Sequence, residues 1–470
     1  MKQKIKIKNL SSLLSIHQRK VYYWQTNIIH VGIFLDMRLG KTRLVIMCIM
    51  LYKNCFPCLI FTPYSAIAGW KEDFKICGIK KYIHIKGTKK KRLELLNYGI
   101  NNNIKFFITH KECHLSIGED LSTISWGSVI LDESTCIKNY GTHISNYFTQ
   151  NFRSVKRRFI LTGTPMPENE LDIYQQILFL DPMIFNDVTN FYHFRNKYFK
   201  QTIDGWKPTT ESKEIIANKL SKCCYVMSTK DAGLFTEKVY ERKTLKLKTT
   251  TMKAYRNFVK NFVLKFDGEI YKVTDWVLAQ FTSLRQLCGG FLKDPETGIY
   301  KFIDNSKANL IIELLQVELL NNKVLIWCDF IHEVDMLSNL LNKNNISNLK
   351  IYGTGIKKHV RDLRVKKFQD SEVDVLIGNP SCFEEGTTLN NADTTIFYSS
   401  PLGGKKRSQT EKRMSNPFKR EVDLIIDLIA EETIEERIIK SHIRKEKRQT
   451  SMINLIKFLQ YQYKMELKND

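Results

Sequence analysis

The chain has 470 residues, 43% apolar and 26% charged, a balance that can bury several cores without disulfides and excludes wholesale disorder. Its longest apolar run, residues 44–52, falls far short of the ~18 residues a membrane span needs, and the N-terminus, Met1-Lys2-Gln3-Lys4, has no apolar stretch of the signal-peptide kind. The net charge of +24 favours a polyanionic partner, nucleic acid ahead of a merely solvated basic surface.

Eleven cysteines, an odd count scattered through apolar segments, read as buried, reduced thiols of a cytoplasmic protein. Cys55 and Cys58 have metal-ligand spacing, but no second pair completes a zinc site.

In chain order, short apolar strands are predicted at 28–35, 58–62, 105–109, 128–131 and 158–162, with helical patterns between several of them. That alternation indicates a parallel sheet with crossover helices. From about 186 to 305 the pattern is mostly helical and strongly basic, with turns at 267–269 and 294–298. Strands then resume at 323–328, 348–352, 373–377 and 394–398. The expected fold class is α/β: two parallel-sheet lobes and a helical, basic intervening region.

Three strand ends carry chemistry. Residues 34–42, Phe-Leu-Asp-Met-Arg-Leu-Gly-Lys-Thr, follow the first strand and open an apolar helix. Gly40, Lys41 and Thr42 are the core of a phosphate-binding loop, in which backbone N–H groups and the helix N-terminus cradle phosphates. Lys41 would reach the β- and γ-phosphates and Thr42 would hold Mg²⁺. Leu35 stands where such loops usually have their first glycine, and an ordinary helix start also fits. Asp132 and Glu133 end an apolar strand; Asp132 would hold Mg²⁺ through water, and Glu133 would polarise the attacking water. Alone, the pair also fits a solvated turn. Thr162, Gly163 and Thr164 end the fifth strand and suit a linkage that senses the γ-phosphate, or else a plain strand-terminating turn.

Taken in order, these segments resemble the superfamily-two helicases and, within them, the Swi/Snf-like ATPases. Gln18, in Leu14-Ser15-Ile16-His17-Gln18, resembles the adenine-reading glutamine. Residues 59–63 and 70–74 resemble the next motif. Residues 132–139 resemble the D-E-x-H-x-I-K-N box, with Thr135 where histidine is common. Residues 161–165 resemble L-T-G-T-P. Leu284-Arg285-Gln286, Ser306-Lys307, residues 324–327 and Tyr352-Gly353-Thr354-Gly355 resemble the start of the second lobe. Glu385 to Asn390, with Gly386 and Thr387, resembles motif five. Gln409 and Arg413 resemble motif six, and residues 433–436 the family tail. The resemblance covers roughly Leu14 to Lys447, and the compactness is like that of phage and mobile-element members.

The resemblance implies two RecA-like lobes with ATP and Mg²⁺ between them, and movement along double-stranded DNA with little sequence reading. The implied divisions are a first ATPase lobe at 1–185, an intervening region at 186–305, a second lobe at 306–445 and a basic helical brace at 446–470. Gln18, Gly40, Lys41, Thr42 and Asp132 would bind the nucleotide and metal. Glu133, Gln409 and Arg413 would serve catalysis. Thr162, Gly163, Thr164, Gly386 and Thr387 would couple the lobes or touch nucleic acid. Lys405, Lys406 and Arg407, like residues 89–92, are expected in loops where phosphate contact and plain solvation fit equally. Motif six departs from the pattern: Asn416 stands at the second arginine position, and 417–419 replace a glycine-containing end. Arg413 alone, Arg420, or a slow motor would answer that departure; the register with Gln409 favours Arg413. A strand-separating DNA or RNA helicase is the competing enzyme. A catalytically dead nucleic-acid scaffold is the competing non-enzyme, against which Lys41, Thr42, Asp132 and Glu133 argue.

Overall fold

The computed structural model describes residues 10–202, 205–234, 238–264, 275–293, 300–353, 356–382, 389, 391–411 and 423–443. The chain divides into two compact units, the first running to residue 235 and the second covering 236–444.

The first unit is built on a seven-stranded sheet. Its strands are β1 (Val31–Leu35), β2 (Cys58–Thr62), β3 (Ile83–His84), β4 (Phe106–His110), β5 (Ser128–Asp132), β6 (Arg157–Leu161) and, after a small antiparallel hairpin of β7 (Phe199–Thr202) and β8 (Gly205–Pro208), β9 (Cys224–Met227). The order is β3-β4-β2-β5-β6-β1-β9, and every pairing is parallel. Parallel strands must be covered on both faces, which is why they read as unbroken apolar runs. Alternate residues divide accordingly: Leu59, Phe61, Val129 and Leu131 join one core, while Ile60, Ile130, Ile33 and Leu35 join the other.

The second unit holds a six-stranded sheet in the order β10-β17-β16-β13-β15-β14. These are β10 (Lys238–Leu245), β13 (Val324–Trp327), β14 (Asn348–Ile351), β15 (Val375–Gly378), β16 (Thr394–Phe397) and β17 (Asp423–Ala430), and a separate hairpin pairs β11 (Phe291–Lys293) with β12 (Tyr300–Phe302). All six sheet strands run parallel. The α/β class with two parallel sheets is therefore as expected. The intervening region is not a separate body, however: β9 completes the first sheet, and β10 lies in the second. Backbone pairing of β9 with β1 outweighs the helical signal of its neighbours.

The second unit buries a carboxyl. Glu333 has no exposed surface, and burial pushes its carboxyl up to about 7, against the opposing hydrogen bond from Ser399 and the charge of Lys307. A carboxyl raised in the folded state binds its proton more tightly there than in the unfolded chain. Its stabilising contribution is full below the ordinary glutamate range and drains away as pH climbs to about 7. Glu333→Gln should therefore flatten the fall in thermal midpoint between about pH 5 and pH 8. Parallel profiles for the variant and the parent would remove Glu333 as the group responsible.

Candidate functional site

The sheet order makes β5, β6 and β1 neighbours, so their C-terminal ends converge. Asp132 pairs with Leu161, which in turn pairs with Ile33, placing the three motif-bearing ends nearly level. Ligands of open α/β sheets bind at such carboxyl ends. The sequence motifs at 34–42, 132–134 and 162–164 are thus brought together by register alone.

The phosphate loop leaves β1 and turns into the helix Lys41–Met50 through Gly40, the N-cap, at φ +71°. A side chain there would be strained in that left-handed backbone, and its Cβ would lie 2.1 Å from Gln18 Nε2. Gln18 donates from Nε2 to the carbonyls of Leu39 (3.2 Å) and Gly40 (3.0 Å), while its Oε1 accepts from Ser15 N (2.9 Å). The expected adenine-reading residue is therefore also a brace for the loop. Lys41 Nζ donates to the loop's own carbonyls, Leu35 O at 2.9 Å and Asp36 O at 3.2 Å. The ammonium is thus held against the turn that would receive phosphate.

Asp132 is buried at the end of β5. Its Oδ2 accepts from Thr62 Oγ1 and from Trp70 Nε1, both at 2.8 Å, and among the described residues its Oδ1 accepts only the backbone N–H of Glu133, at 3.1 Å. Burial, joined by the charge of Glu133, pushes its carboxyl above the usual range; the bonds from Trp70 and Thr62 and the charge of Lys41 oppose this. A hydrogen bond to a charged group contributes about 1.5–3 kcal/mol, so two donors on one oxygen hold the carboxylate firmly. Oδ1 keeps lone-pair capacity, and Thr42 adds a hydroxyl in the first helical turn. That hard oxygen set suits Mg²⁺ bound partly through water.

Glu133 sits at φ +52°, a left-handed conformation rare for a non-glycine residue and typical of functional sites. Its Oε2 accepts from Thr162 Oγ1 at 3.3 Å, and Thr162 Oγ1 also accepts from Thr164 N at 3.1 Å. Gly163 lies tight against the phosphate loop: a Cβ would stand 3.3 Å from Leu35 O and 3.4 Å from Met37 N. The predicted linkage residues therefore join the Glu133 carboxylate to the loop after β1.

The roles of four contributors escaped the sequence reading, two of them within the motif at 59–63 and 70–74. Thr62 and Trp70 hold Asp132. Gln176 accepts from Ser134 Oγ (2.7 Å) and donates to Pro165 O (2.6 Å), tying the acidic box to the segment after β6. Thr229 N donates to Asp36 Oδ2 at 3.0 Å, so the turn after β9 steadies the phosphate loop. The polar Gln175-Gln176 pair inside the apolar helix Ile173–Leu180 was the available signal for Gln176; Thr229 offered none.

Two basic runs, one in each unit, are not where they were expected. Residues 89–92 open the helix Lys89–Asn101, and residues 405–407 lie in the helix Gly404–Glu411, neither in a loop. Arg407 is buried: it donates to Asp427 (2.5 and 3.2 Å), to Glu411 (2.6 Å) and to Ser400 (3.1 Å), with its guanidinium 3.4 Å above the Phe397 ring. A guanidinium so occupied is held within the fold, which fits neither the loop phosphate contact nor the plain solvation expected for it. Lys406 donates to Asp329 at 2.7 Å, and the Lys405 side chain lies outside the described residues. Gln409 lies in the same helix. Lys307 and Glu435, from two segments that carry the family resemblance, form a buried pair at 2.6 and 2.8 Å. Gly386, Thr387, Arg413, Asn416, Arg420 and the brace at 446–470 lie outside the described residues.

Among the described residues, no helix is long and apolar enough to cross a membrane. None of the eleven cysteines is in a disulfide, nine of them are buried, and burial pushes the Cys55 thiol up to about 11.

The SNF2-related domain matches residues 17–290, and the helicase conserved C-terminal domain matches 306–415. The chain is 24% identical over 438 residues to the Arabidopsis thaliana protein described as "Probable ATP-dependent DNA helicase CHR23", covering 87% of this chain and 40% of that one. It is 26% identical over 405 residues to the Schizosaccharomyces pombe "SWI/SNF chromatin-remodeling complex subunit snf22", covering 82% of this chain and 24% of that one. The chain thus spans well under half the length of these relatives. A solved structure, the Sulfolobus solfataricus SWI2/SNF2 ATPase core in complex with dsDNA, is 19% identical with a TM-score of 0.44, covering 93% of this chain and 94% of that one. With the SNF2-related domain matching more than half its length, the chain belongs to the Swi/Snf-like ATPase family of superfamily two.

Proposed function

We propose that this chain is a motor that hydrolyses ATP while tracking along double-stranded DNA. The observation that carries the reading is the convergence of Lys41, Asp132, Glu133 and Thr162 at three adjacent strand ends. Lys41 would leave the Leu35 and Asp36 carbonyls for the β- and γ-phosphates. Thr42 and Asp132 would hold Mg²⁺, which when bound neutralises charge on the phosphate oxygens. Glu133 would orient the attacking water, and its bond to Thr162 would pass the state of that carboxylate to the segment packed on the phosphate loop. The +24 charge supports a phosphate-backbone track.

The test is ATP turnover with duplex DNA, single-stranded DNA, RNA or no nucleic acid, run beside a strand-displacement assay. Stimulation by duplex without displacement is the expected result. Affinity for duplex should fall log-linearly with salt and vary little with sequence. A flat salt response, or stimulation by RNA alone, would refute tracking on DNA.

A further inference from the structure

We propose that Asp329 is a positioning residue for ATP turnover, acting through Lys406 on the helix that carries Gln409; the inference rests on the motor reading above. Asp329 follows β13, and its side chain is only 12% exposed. Every polar part of it is used. Oδ1 accepts from Lys406 Nζ and Oδ2 from Arg285 Nη2, both at 2.7 Å. Its backbone N–H donates to Ser399 Oγ (2.7 Å), and its carbonyl accepts from Asn379 Nδ2 (2.8 Å). One residue therefore joins the ends of β13, β15 and β16 to two helices, Asp275–Cys288 through Arg285 and Gly404–Glu411 through Lys406.

The helix Gly404–Glu411 is gripped on two sides. Arg407 fixes it to β17 through Asp427. Lys406 and Gln409, three residues apart, share another face, and that face is the one Asp329 holds. Gln409 Nε2 is buried and has no hydrogen-bond partner among the described residues. A buried amide donor left unpaired costs about 1–3 kcal/mol, so its orientation has to be imposed from outside itself. The Lys406–Asp329 bond imposes it. Arg285 supplies the second anchor: it also donates to Ser400 O at 2.8 Å and lies 5.0 Å from the Phe330 ring centre, so it cannot follow Lys406 if the carboxylate is lost. Asp329 thus sets the rotation of the helix about its axis, whereas Arg407 sets its distance from the sheet.

Asp329→Asn keeps the shape and removes the charge that holds Lys406. We expect kcat to fall about tenfold with KM for ATP within about twofold, because the lost interaction acts on turnover rather than on nucleotide binding. Lys406→Met should match it, and the double variant should be no slower than either single one, since both break the same bond. Asp329→Glu, which keeps the charge, should recover part of the rate. Amide hydrogen exchange across 404–411 should quicken in Asp329→Asn whatever the ATPase result. Unchanged exchange there, multiplying effects in the double variant, or a loss confined to KM would overturn the proposal. If the parent chain shows no turnover that Lys41→Ala abolishes, the motor reading fails, and the exchange measurement still decides whether Asp329 holds this helix.

Discussion

Glu133→Gln should leave ATP and duplex binding intact and cut turnover by roughly 10²–10⁴-fold, the range for loss of a positioned general base. The substitution is close to isosteric, and the amide oxygen can still accept from Thr162 Oγ1, so the link to the phosphate loop survives while the charge that orients water does not. The left-handed backbone at Glu133 is unchanged, which keeps the effect chemical rather than structural. Lys41→Ala should differ in kind. It removes the ammonium now bound by Leu35 and Asp36 carbonyls, so nucleotide affinity and turnover should fall together. Steady-state turnover and direct nucleotide binding, measured on both variants, separate the two patterns. Near-normal turnover in Glu133→Gln would sink the role assigned to it.

Arg407→Met should destabilise the second unit by about 3–5 kcal/mol, because breaking a buried ion pair leaves uncompensated charge behind. Asp427 would lose its ion-pair partner in a buried setting, and Glu411 would lose the nearer of its two cations, keeping Lys238 at 3.6 Å. Burial by itself would raise the Glu411 carboxyl; the charges of Arg407 and Lys238 overcome it and hold the group below its usual range. Methionine fills the space above Phe397 without replacing either bond. Denaturant unfolding measures the loss, and the salt slope of duplex binding should be unaltered. A stable variant with a shallower salt slope would return Arg407 to the phosphate-contact role and refute the structural one.

The difference between these two residues shows which parts of the chain can be read locally. Glu133 directly follows an apolar strand that ends in Asp132, a pattern contained within six residues. Arg407 lies in a basic run, and nothing nearby says that Asp427, twenty residues on, will be level with it once β17 pairs with β16. The strands at 58–62 and 324–327 were legible because a strand covered on both faces needs an uninterrupted apolar run. β17, Asp423–Ala430, lacks such a run, because Asp427 interrupts its apolar residues. β10 was hidden as well: four of its eight residues are charged, because it is an edge strand open on one side.

By itself, then, the sequence determined the class of fold and the family, and it marked the three strand ends whose motifs converge, because phosphate cradles and acidic strand ends are short and need particular residues at particular spacings. Only the tertiary structure decided that Trp70 and Thr62 would clamp Asp132, that Gln176 would bridge two motifs, that β9 would belong to the first sheet and that Arg407 would be buried. Each of these depends on strand order and register, which place residues distant in sequence within hydrogen-bond range, and no local pattern encodes a distance of that kind.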